Sequence, residues 1–390
     1  MEFGYTEEQE RFRKELNDWL DANIPADMEF PAELEELDEK TYAFAKELRR
    51  KLVEKGWLRP TYPKEYGGAE LSYDEMVVYQ EAFFQRTVPK VYDLSHIPAA
   101  GLFAFGTEEQ KKKWLPLIGR VEIVTWESFT EPEAGTDLAN VQTRAIRQEN
   151  GDFLLNGQKI YTGDGHPVDY LYTLAIDPKL PRHQNMSAFM VKADSPGISY
   201  EPLQPITGSR KNIVYFEDVH VPAENLVGEV NNGWAVAQAS LAGERGTPYF
   251  VDTYYLFDKL IEYCKKAKRN GRRLADDPHV RELLTGLFLE AKAERLLLAR
   301  TFWKASHGIT TSYEGSQNLL NWKVFNPKLG EVVLEILGPL ALITDPKWAA
   351  LNGKFERQTR YSLLTHGAGT PEAQKIVISR FLGLPSARRR

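Results

Sequence analysis

The segment Phe129 to Asp137 combines hydroxyl groups, carboxylates and turn residues in a way that is suited to binding a ligand. We predict a strand that ends at Thr130, followed by a turn through Pro132, Gly135 and Thr136 that exposes hydroxyls and backbone amides. Such a concavity of amides suits a pyrophosphate or the pyrimidine edge of a flavin. A plain turn between a strand and a loop is the alternative for this segment when it is taken by itself.

Motifs for several other kinds of chemistry are absent. No Gly-x-Gly-x-x-Gly follows a predicted strand and there is no P-loop, so any nucleotide cofactor must be held by something other than a Rossmann fold. There is no nucleophile elbow and no useful Cys/His pairing. The single cysteine, Cys264, excludes an intramolecular disulfide and a thiolate metal site, and the seven histidines lack metal-ligand spacing. We therefore expect no metal.

Charge and hydropathy restrict the partners. The formal net charge of -6 argues against nucleic acid as the main partner. No segment reaches the roughly 18 unbroken apolar residues of a membrane span, so no membrane is expected. The first nine residues are acidic and show no signal or transit pattern. A cytoplasmic enzyme fits these features best.

The hydrophobic period changes twice along the chain. Capping boxes at Thr6, Ser72 and Thr107 predict helices in the first third. Helical periodicity returns from Gly233 onward. We predict an N-terminal α-helical domain over 1–122, a middle antiparallel β domain over 123–230 and a C-terminal α-helical bundle over 231–390.

The middle third reads as short strands. The pair Asn156-Gly157, between two apolar runs, predicts a hairpin with a type I′ turn. Three further runs have strand character: Tyr170–Ile176, Ser187–Val191 and Ile213–Val221. We expect a small antiparallel barrel or sandwich.

Six motifs in register make the chain similar to the acyl-CoA dehydrogenase family. They are Tyr62-Pro63-Lys64-Glu65-Tyr66-Gly67-Gly68, Phe105-Gly106-Thr107-Glu108-Glu109-Gln110-Lys111, Phe129-Thr130-Glu131-Pro132-Glu133-Ala134-Gly135-Thr136-Asp137, Leu155-Asn156-Gly157-Gln158-Lys159, Phe216-Glu217-Asp218-Val219-His220-Val221-Pro222 and Leu382-Gly383-Leu384-Pro385. The resemblance spans nearly the whole chain. It implies a flavoprotein oxidoreductase of lipid metabolism that takes FAD as cofactor, an acyl-CoA as substrate and an electron-transferring flavoprotein as acceptor.

The resemblance also implies site residues. Those that match cofactor contacts of the family are Thr130, Gly135, Thr136, Tyr161, Thr162, Gly163 and Thr370. Those that match substrate contacts are Thr136, Arg245, Ala368 and Gly369. Tyr161 stands where the family usually has Trp, and Gly163 stands where a flavin-bonding Thr is usual. Because a shift of one residue reverses the face of a strand, the flavin contact here comes either from Thr162 or from the Gly163 amide.

The family reaction needs a carboxylate that removes a proton α to the thioester carbonyl. One family position for this Glu is in a C-terminal loop, and there the chain has Ala368. The other is on the first helix after the β domain, which implies Glu244 as the base. A surface glutamate beside Arg245 is the alternative. We interpret Glu314, in a similar motif much earlier than the loop, as part of an inter-helix loop.

Two departures from the family concern the adenine half of the FAD site. The usual Arg-x-x-Phe-Gly is replaced by Lys268-Arg269-Asn270-Gly271-Arg272-Arg273, and the usual Gly-Gly-x-Gly by Gly338-Pro339-Leu340-Ala341. This pattern resembles the actinobacterial sterol side-chain dehydrogenases that form two-gene heterotetramers. It implies a homo- or hetero-oligomer with a related dehydrogenase subunit. The small residues that replace the usual Glu of the C-terminal loop, at Ala368, leave room for a bulky, branched or cyclic acyl group.

Two other functions remain open on the same fold. One is a non-catalytic partner subunit without FAD of its own, which the missing Arg-x-x-Phe-Gly favours. The other is a flavin oxidase or monooxygenase that uses oxygen. The intact Thr130 motif and Glu244 favour α,β-dehydrogenation of an acyl-CoA over both.

Overall fold

The computed structural model describes residues 4–25, 39–84, 95–163, 168–208, 210–245, 251–345, 347–364 and 367–384. Helices come first along the chain, strands second and helices third. The predicted succession of an α-helical, a β and a second α-helical region is therefore confirmed. Within the described ranges, none of the helices is long and apolar enough to cross a membrane.

Where the structure describes the N-terminal region, it contains the helices α1 (Glu7–Asn23), α2 (Glu39–Glu54), α3 (Tyr73–Phe84), α4 (His96–Phe105) and α5 (Glu108–Gly119). The predicted capping boxes start three of them. At α1, for example, the Gln9 amide donates to the Thr6 hydroxyl oxygen over 3.2 Å and the Thr6 amide donates to the Gln9 side chain over 2.8 Å. These reciprocal bonds satisfy amides that a helix start leaves without partners, which explains where the helices begin.

Eight strands of the described middle region form one sheet: β1 (Thr125–Ser128), β2 (Arg144–Arg147), β3 (Phe153–Thr162), β4 (Tyr170–Ile176), β5 (Met186–Lys192), β6 (Ile198–Leu203), β7 (Lys211–Val221) and β8 (Leu226–Val227). Their order is β6-β7-β3-β2-β4-β5-β8, with β1 paired to β4. The ring centroids of Phe153 in β3 and Phe189 in β5 are 4.9 Å apart, although these strands are not neighbours in that order. The sheet therefore curls around its core. The sheet is mixed rather than wholly antiparallel, because β1 and β2 both run parallel to β4.

The hairpin predicted at Asn156-Gly157 is wrong. β3 continues straight through both residues, and the chain reverses instead near Gly151, which has φ +94°. The Asn156 side chain is bonded to Asp218 in a bulge of β7, with Nδ2 donating over 2.9 Å and Oδ1 accepting the Asp218 amide over 3.0 Å. A β-carbon on Gly157 would come within 2.6 Å of the Thr143 hydroxyl. This Asn-Gly pair therefore serves a bulge and a close approach of two strands, for which the same residue types are selected.

The C-terminal helices are α6 (Gly233–Arg245), α7 (Val251–Lys266), α8 (Pro278–Ser306), α9 (Glu314–Leu337), α10 (Lys354–Tyr361) and α11 (Pro371–Phe381). A short β-ribbon of β9 (Lys268–Arg269) and β10 (Arg272–Arg273) joins α7 to α8. Helix α9 packs against α8, α10 and α11, and its apolar face is buried around Phe325 and Leu329. The bundle is therefore built around α9.

A common core connects the three regions. It joins α4 and α5 to β4, β5 and α6, and its largest buried side chains include Trp114 and Tyr172. A β-carbon on Gly101 would come within 2.7 Å of the hydroxyl oxygens of Ser240 and Tyr172, so α4 lies close against both α6 and β4. Burial of this kind fixes the helical regions relative to the sheet.

Candidate functional site

The predicted ligand-binding turn lies between β1 and β2. The Thr130 carbonyl accepts a hydrogen bond from the Ile160 amide over 2.9 Å, which places Thr130 beside the end of β3. Glu131 and Ala134 then bond to each other through both backbone groups, at 3.0 and 3.1 Å. This tight turn leaves Gly135 and Thr136 exposed.

A buried ion pair lies beneath this turn. The Lys159 ammonium donates to Glu131 Oε1 over 2.7 Å, and the two side chains are 0% and 4% exposed. Burial alone would raise the pKa of the Glu131 carboxyl, but Lys159, the Thr143 side chain and the Gln142 amide outweigh burial and hold that pKa below its ordinary value. Burial lowers the pKa of Lys159, and the attraction of Glu131 opposes this shift.

The end of β3 carries a bulge at Tyr161. From Lys159 to Thr162 the strand advances three residues while β7 advances two, from Val214 to Asn212. Tyr161 takes up the extra residue with φ +58°, and the residue is 58% exposed. A left-handed backbone is uncommon for a bulky residue and marks positions held by their surroundings. The bulge therefore turns the Tyr161 ring outward beside Thr130.

Thr162 and Gly163 face the interior at the same point. The Thr162 hydroxyl is bonded to Ser128 over 3.3 Å and the residue is 1% exposed. Gly163 has φ +64° and lies against the Trp126 indole. This register leaves the Thr162 hydroxyl on the buried face of the strand.

The loop that includes Ala368 is tied to the helical bundle. The Gly367 carbonyl accepts a hydrogen bond from Lys323 of α9, and the Ala368 carbonyl accepts one from Gln374 of α11 over 3.2 Å. Ala368 and Gly369 both have left-handed backbones, with φ +55° and +86°. The Thr370 hydroxyl caps α11 by accepting from the Ala373 amide over 3.1 Å, which leaves its proton as a possible donor to a ligand.

Glu244 and Arg245 lie in the last turn of α6, and their side chains are outside the described part of the structure. The backbone of this helix is well fixed up to that point. A β-carbon on Gly243 would meet the Ala100 side chain of α4 at 2.5 Å. The Tyr172 hydroxyl of β4 and the Ser240 hydroxyl share a buried hydrogen bond of 2.9 Å. The sheet and α4 therefore hold the helix that carries the predicted base.

The interpretation of Glu314 as an inter-helix loop residue is wrong in detail. Glu314 is the first residue of α9, and only Tyr313 and the preceding residues form the connection from α8. Its carboxylate is 1% exposed, pairs with Lys304 of α8 and accepts the Ser312 amide over 2.8 Å. A carboxylate next to a helix N-terminus and a lysine is stabilised there, so these contacts join two helices.

The structure thus brings Thr130, Tyr161 and Gly163 together at the end of β3, with Gly135 and Thr136 on the loop that follows Thr130. Sequence reasoning did not single out Glu131 and Lys159 as a pair. A lysine at an inward position of a strand is rarely buried without a partner, and this was the available signal. In the described ranges, the acidic, histidine and cysteine side chains form no group of three that could hold a metal ion.

The sequence matches three domains of one enzyme family over most of its length. Residues 6–122 match the acyl-CoA dehydrogenase N-terminal domain, residues 127–219 the middle domain and residues 231–383 the C-terminal domain. These matches run in the order that the six motifs imply. They agree with the helix, strand and helix regions of the structure.

Individual relatives cover the whole chain. The acyl-CoA dehydrogenase FadE26 of Mycobacterium tuberculosis is 31% identical over 410 residues, which cover 100% of both chains. The acyl-CoA dehydrogenase IpdE1 of the same organism is 30% identical over 393 residues, 96% of this chain and 98% of the relative. The crystal structure of the ChsE4-ChsE5 complex of M. tuberculosis superposes with a TM-score of 0.82 and 28% identity, over 99% of this chain and 100% of the other. This chain therefore belongs to the acyl-CoA dehydrogenase family, whose members are FAD-dependent enzymes that introduce a double bond next to the carbonyl of an acyl-CoA thioester.

Proposed function

We propose that this chain binds the flavin ring of FAD where the Thr130 loop meets the end of β3. The observation that carries the proposal is the bulge that turns Tyr161 outward next to Thr130 and the Gly163 backbone. A flat aromatic ring beside hydroxyl and amide donors suits a flat heterocycle with polar edges. The exposed Gly135 and Thr136 extend these donors toward the cofactor phosphates and the substrate. When it is bound, FAD supplies the acceptor for the hydride from the β carbon.

We propose Glu244 as the group that takes the α proton of the thioester. The support is its place on α6, which the Tyr172–Ser240 bond and the contact with α4 hold against the sheet. In the loop that carries this base in other members, Ala368 has no group that can accept a proton. Arg245, Ala368 and Gly369 are proposed to contact the substrate, and Thr370 the cofactor.

The proposed substrate is an acyl-CoA with a bulky, branched or cyclic acyl group. Ala368 presents a methyl group where a carboxylate side chain is usual, so the acyl side of the loop has more room. A solved relative described as a steroid acyl-CoA dehydrogenase, Tcur3481-Tcur3483, superposes with a TM-score of 0.82 and 28% identity. The acceptor of the electrons is proposed to be an electron-transferring flavoprotein.

The partner is proposed to be a related dehydrogenase subunit that supplies the adenine half of the FAD site. The end of α11 supports this, since Phe381, Leu382 and Leu384 are 53–60% exposed there. On α8, Phe288 and Leu289 are 46% and 63% exposed. Clustered exposed apolar side chains of this size mark protein interfaces. Two of the similar solved structures are themselves complexes of two different chains.

Flavin bleaching with a panel of acyl-CoAs tests the proposal. The chain is purified alone and co-expressed with candidate partner subunits, and the flavin spectrum is followed anaerobically after addition of straight-chain, branched, aromatic and steroid acyl-CoAs. We expect bleaching by the bulky substrates. A chain that carries no flavin in any preparation would point to a non-catalytic subunit. Rapid reoxidation of the reduced flavin by air would point to an oxidase or monooxygenase.

A further inference from the structure

Lys159 makes two contacts with the loop that carries Thr130. Its ammonium donates to Glu131 Oε1 over 2.7 Å and to the Phe129 carbonyl over 3.2 Å. The side chain is completely buried. Lysine loses substantial solvation when it is buried, so a position like this is stable only while both acceptors stay in place.

Glu131 extends the connection to the far end of the loop. Its Oε2 accepts the Gln142 amide over 2.6 Å, and its Oε1 accepts the Thr143 amide over 3.0 Å. One carboxylate therefore closes the loop on itself, because Glu131 is at its start and Thr143 directly precedes β2. Charge-assisted hydrogen bonds of this kind are stronger than those between neutral groups.

The pair is adjacent in sequence to both halves of the proposed flavin site. Glu131 follows Thr130, and Lys159 lies two residues before Tyr161 in β3. A backbone hydrogen bond from the Ile160 amide to the Thr130 carbonyl joins the two halves directly. The ion pair thus adds a side-chain connection between the loop and the strand. Loss of either charge changes the position of Thr130 relative to Tyr161.

We infer that Glu131 and Lys159 are positioning residues that set the distance between the Thr130 loop and the Tyr161 bulge, and so determine how tightly this chain holds its flavin. This inference rests on the proposed FAD site. Neither residue needs to contact the cofactor, since each acts through its neighbour.

The test compares flavin affinity with folding stability in Glu131→Gln and Lys159→Met. Glu314→Gln is the matched control, because it breaks another buried carboxylate–lysine pair, in the helical bundle. We expect all three to lower the unfolding temperature of the flavin-free chain. Only Glu131→Gln and Lys159→Met should also raise the Kd for FAD, by roughly ten- to a hundredfold, as expected from loss of hydrogen bonds to charged groups. The shape of the flavin absorption band should also change in these two variants.

A double variant keeps the test decisive if a single variant does not fold. Glu131→Gln/Lys159→Met leaves no unpaired buried charge and should regain most of the stability. Its Kd for FAD should still be weakened about as much as in the worse single variant, because the connection is already broken. Folded variants that bind FAD within about twofold of wild type would overturn the inference. Absence of flavin from the wild-type chain in every preparation contradicts the proposed function instead.

Discussion

The backbone of Gly163 lies directly against the indole ring of Trp126, and a β-carbon at residue 163 would come within 2.0 Å of that ring. Gly163 also has φ +64°, a conformation that side chains disfavour. We expect Gly163→Ala to lower the free energy of unfolding by about 2 kcal/mol or more, from overpacking and backbone strain together. It should also reduce the bound flavin, because the end of β3 is displaced.

Gly151→Ala is the control that measures the cost of backbone strain without overpacking. Gly151 has φ +94° in the turn between β2 and β3, and no atom lies within 4 Å of an added β-carbon. This variant should lose only about 1 kcal/mol and retain its flavin. Chemical denaturation and the ratio of flavin to protein absorbance measure both effects. Equal losses in the two variants would show that contact with Trp126 is unimportant.

A second prediction concerns the buried hydrogen bond between Tyr172 and Ser240, which joins β4 to the helix of the proposed base. Tyr172→Phe and Ser240→Ala should each cost about 1–2 kcal/mol, because each leaves the other hydroxyl buried without its partner. The double variant should be little worse than either single one, since both hydroxyls are then gone. Denaturant unfolding of the wild type, the two single variants and the double variant gives the coupling free energy between the two hydroxyls. Strictly additive losses would mean that the two hydroxyls do not depend on each other.

Local signals in the sequence predicted where elements begin better than how they pair. The capping boxes at Thr6 and Thr107 are formed as expected, because the bonds involved join residues three apart. The turn predicted at Asn156-Gly157 is wrong, because β3 continues through both residues. Asn and Gly are also suited to bulges, and the bulge opposite Asn156 depends on the distant strand β7. The sequence near residue 156 holds no information about that pairing.

The same limit applies to the candidate site. The resemblance places Thr130 and Tyr161 at the site, and the structure brings them side by side through the Ile160 amide. Which face of β3 carries the Thr162 hydroxyl depends on a one-residue bulge, and only the pairing with β7 reveals that bulge. The connection between Glu131 and Lys159 joins residues 28 positions apart. The local sequence around either residue does not predict which residue is its partner.

A third prediction concerns pH and Glu294 of α8. The residue is 4% exposed, and burial raises the pKa of its carboxyl from 4.5 to about 7, although the Tyr254 hydroxyl opposes this shift. Between these two values the folded chain keeps a proton that the unfolded chain has lost. Stability must therefore fall as the pH rises through this window. Above pH 7 the full effect, about 3 kcal/mol from the size of the shift, is present.

Glu294→Gln removes this titration. The variant should be more stable than wild type at pH 8 and similar to it near pH 4.5, so the two curves of unfolding free energy against pH converge on the acid side. Glu282→Gln is the control, because Glu282 is exposed on the same helix and is not among the groups that shift the pKa of Glu294. That control should keep the fall in stability between pH 4.5 and 7 that Glu294 causes. A Glu294→Gln curve that is also parallel to wild type would mean that Glu294 ionises normally.

The last prediction concerns Glu244 as the base. Glu244→Gln should retain the fold and the flavin and still bind acyl-CoA, but it should lose about 10² to 10⁴ in the rate of flavin reduction, the usual effect of removing a positioned general base. Glu229→Gln, an exposed residue just before α6, should reduce its flavin at the wild-type rate. Ala368→Glu in the Glu244→Gln background should restore part of the rate. The left-handed backbone of residue 368 already carries a side chain, so the glutamate adds little strain there. Anaerobic stopped-flow measurement of flavin bleaching compares the variants. Bleaching of Glu244→Gln at the wild-type rate would place the base on the partner subunit.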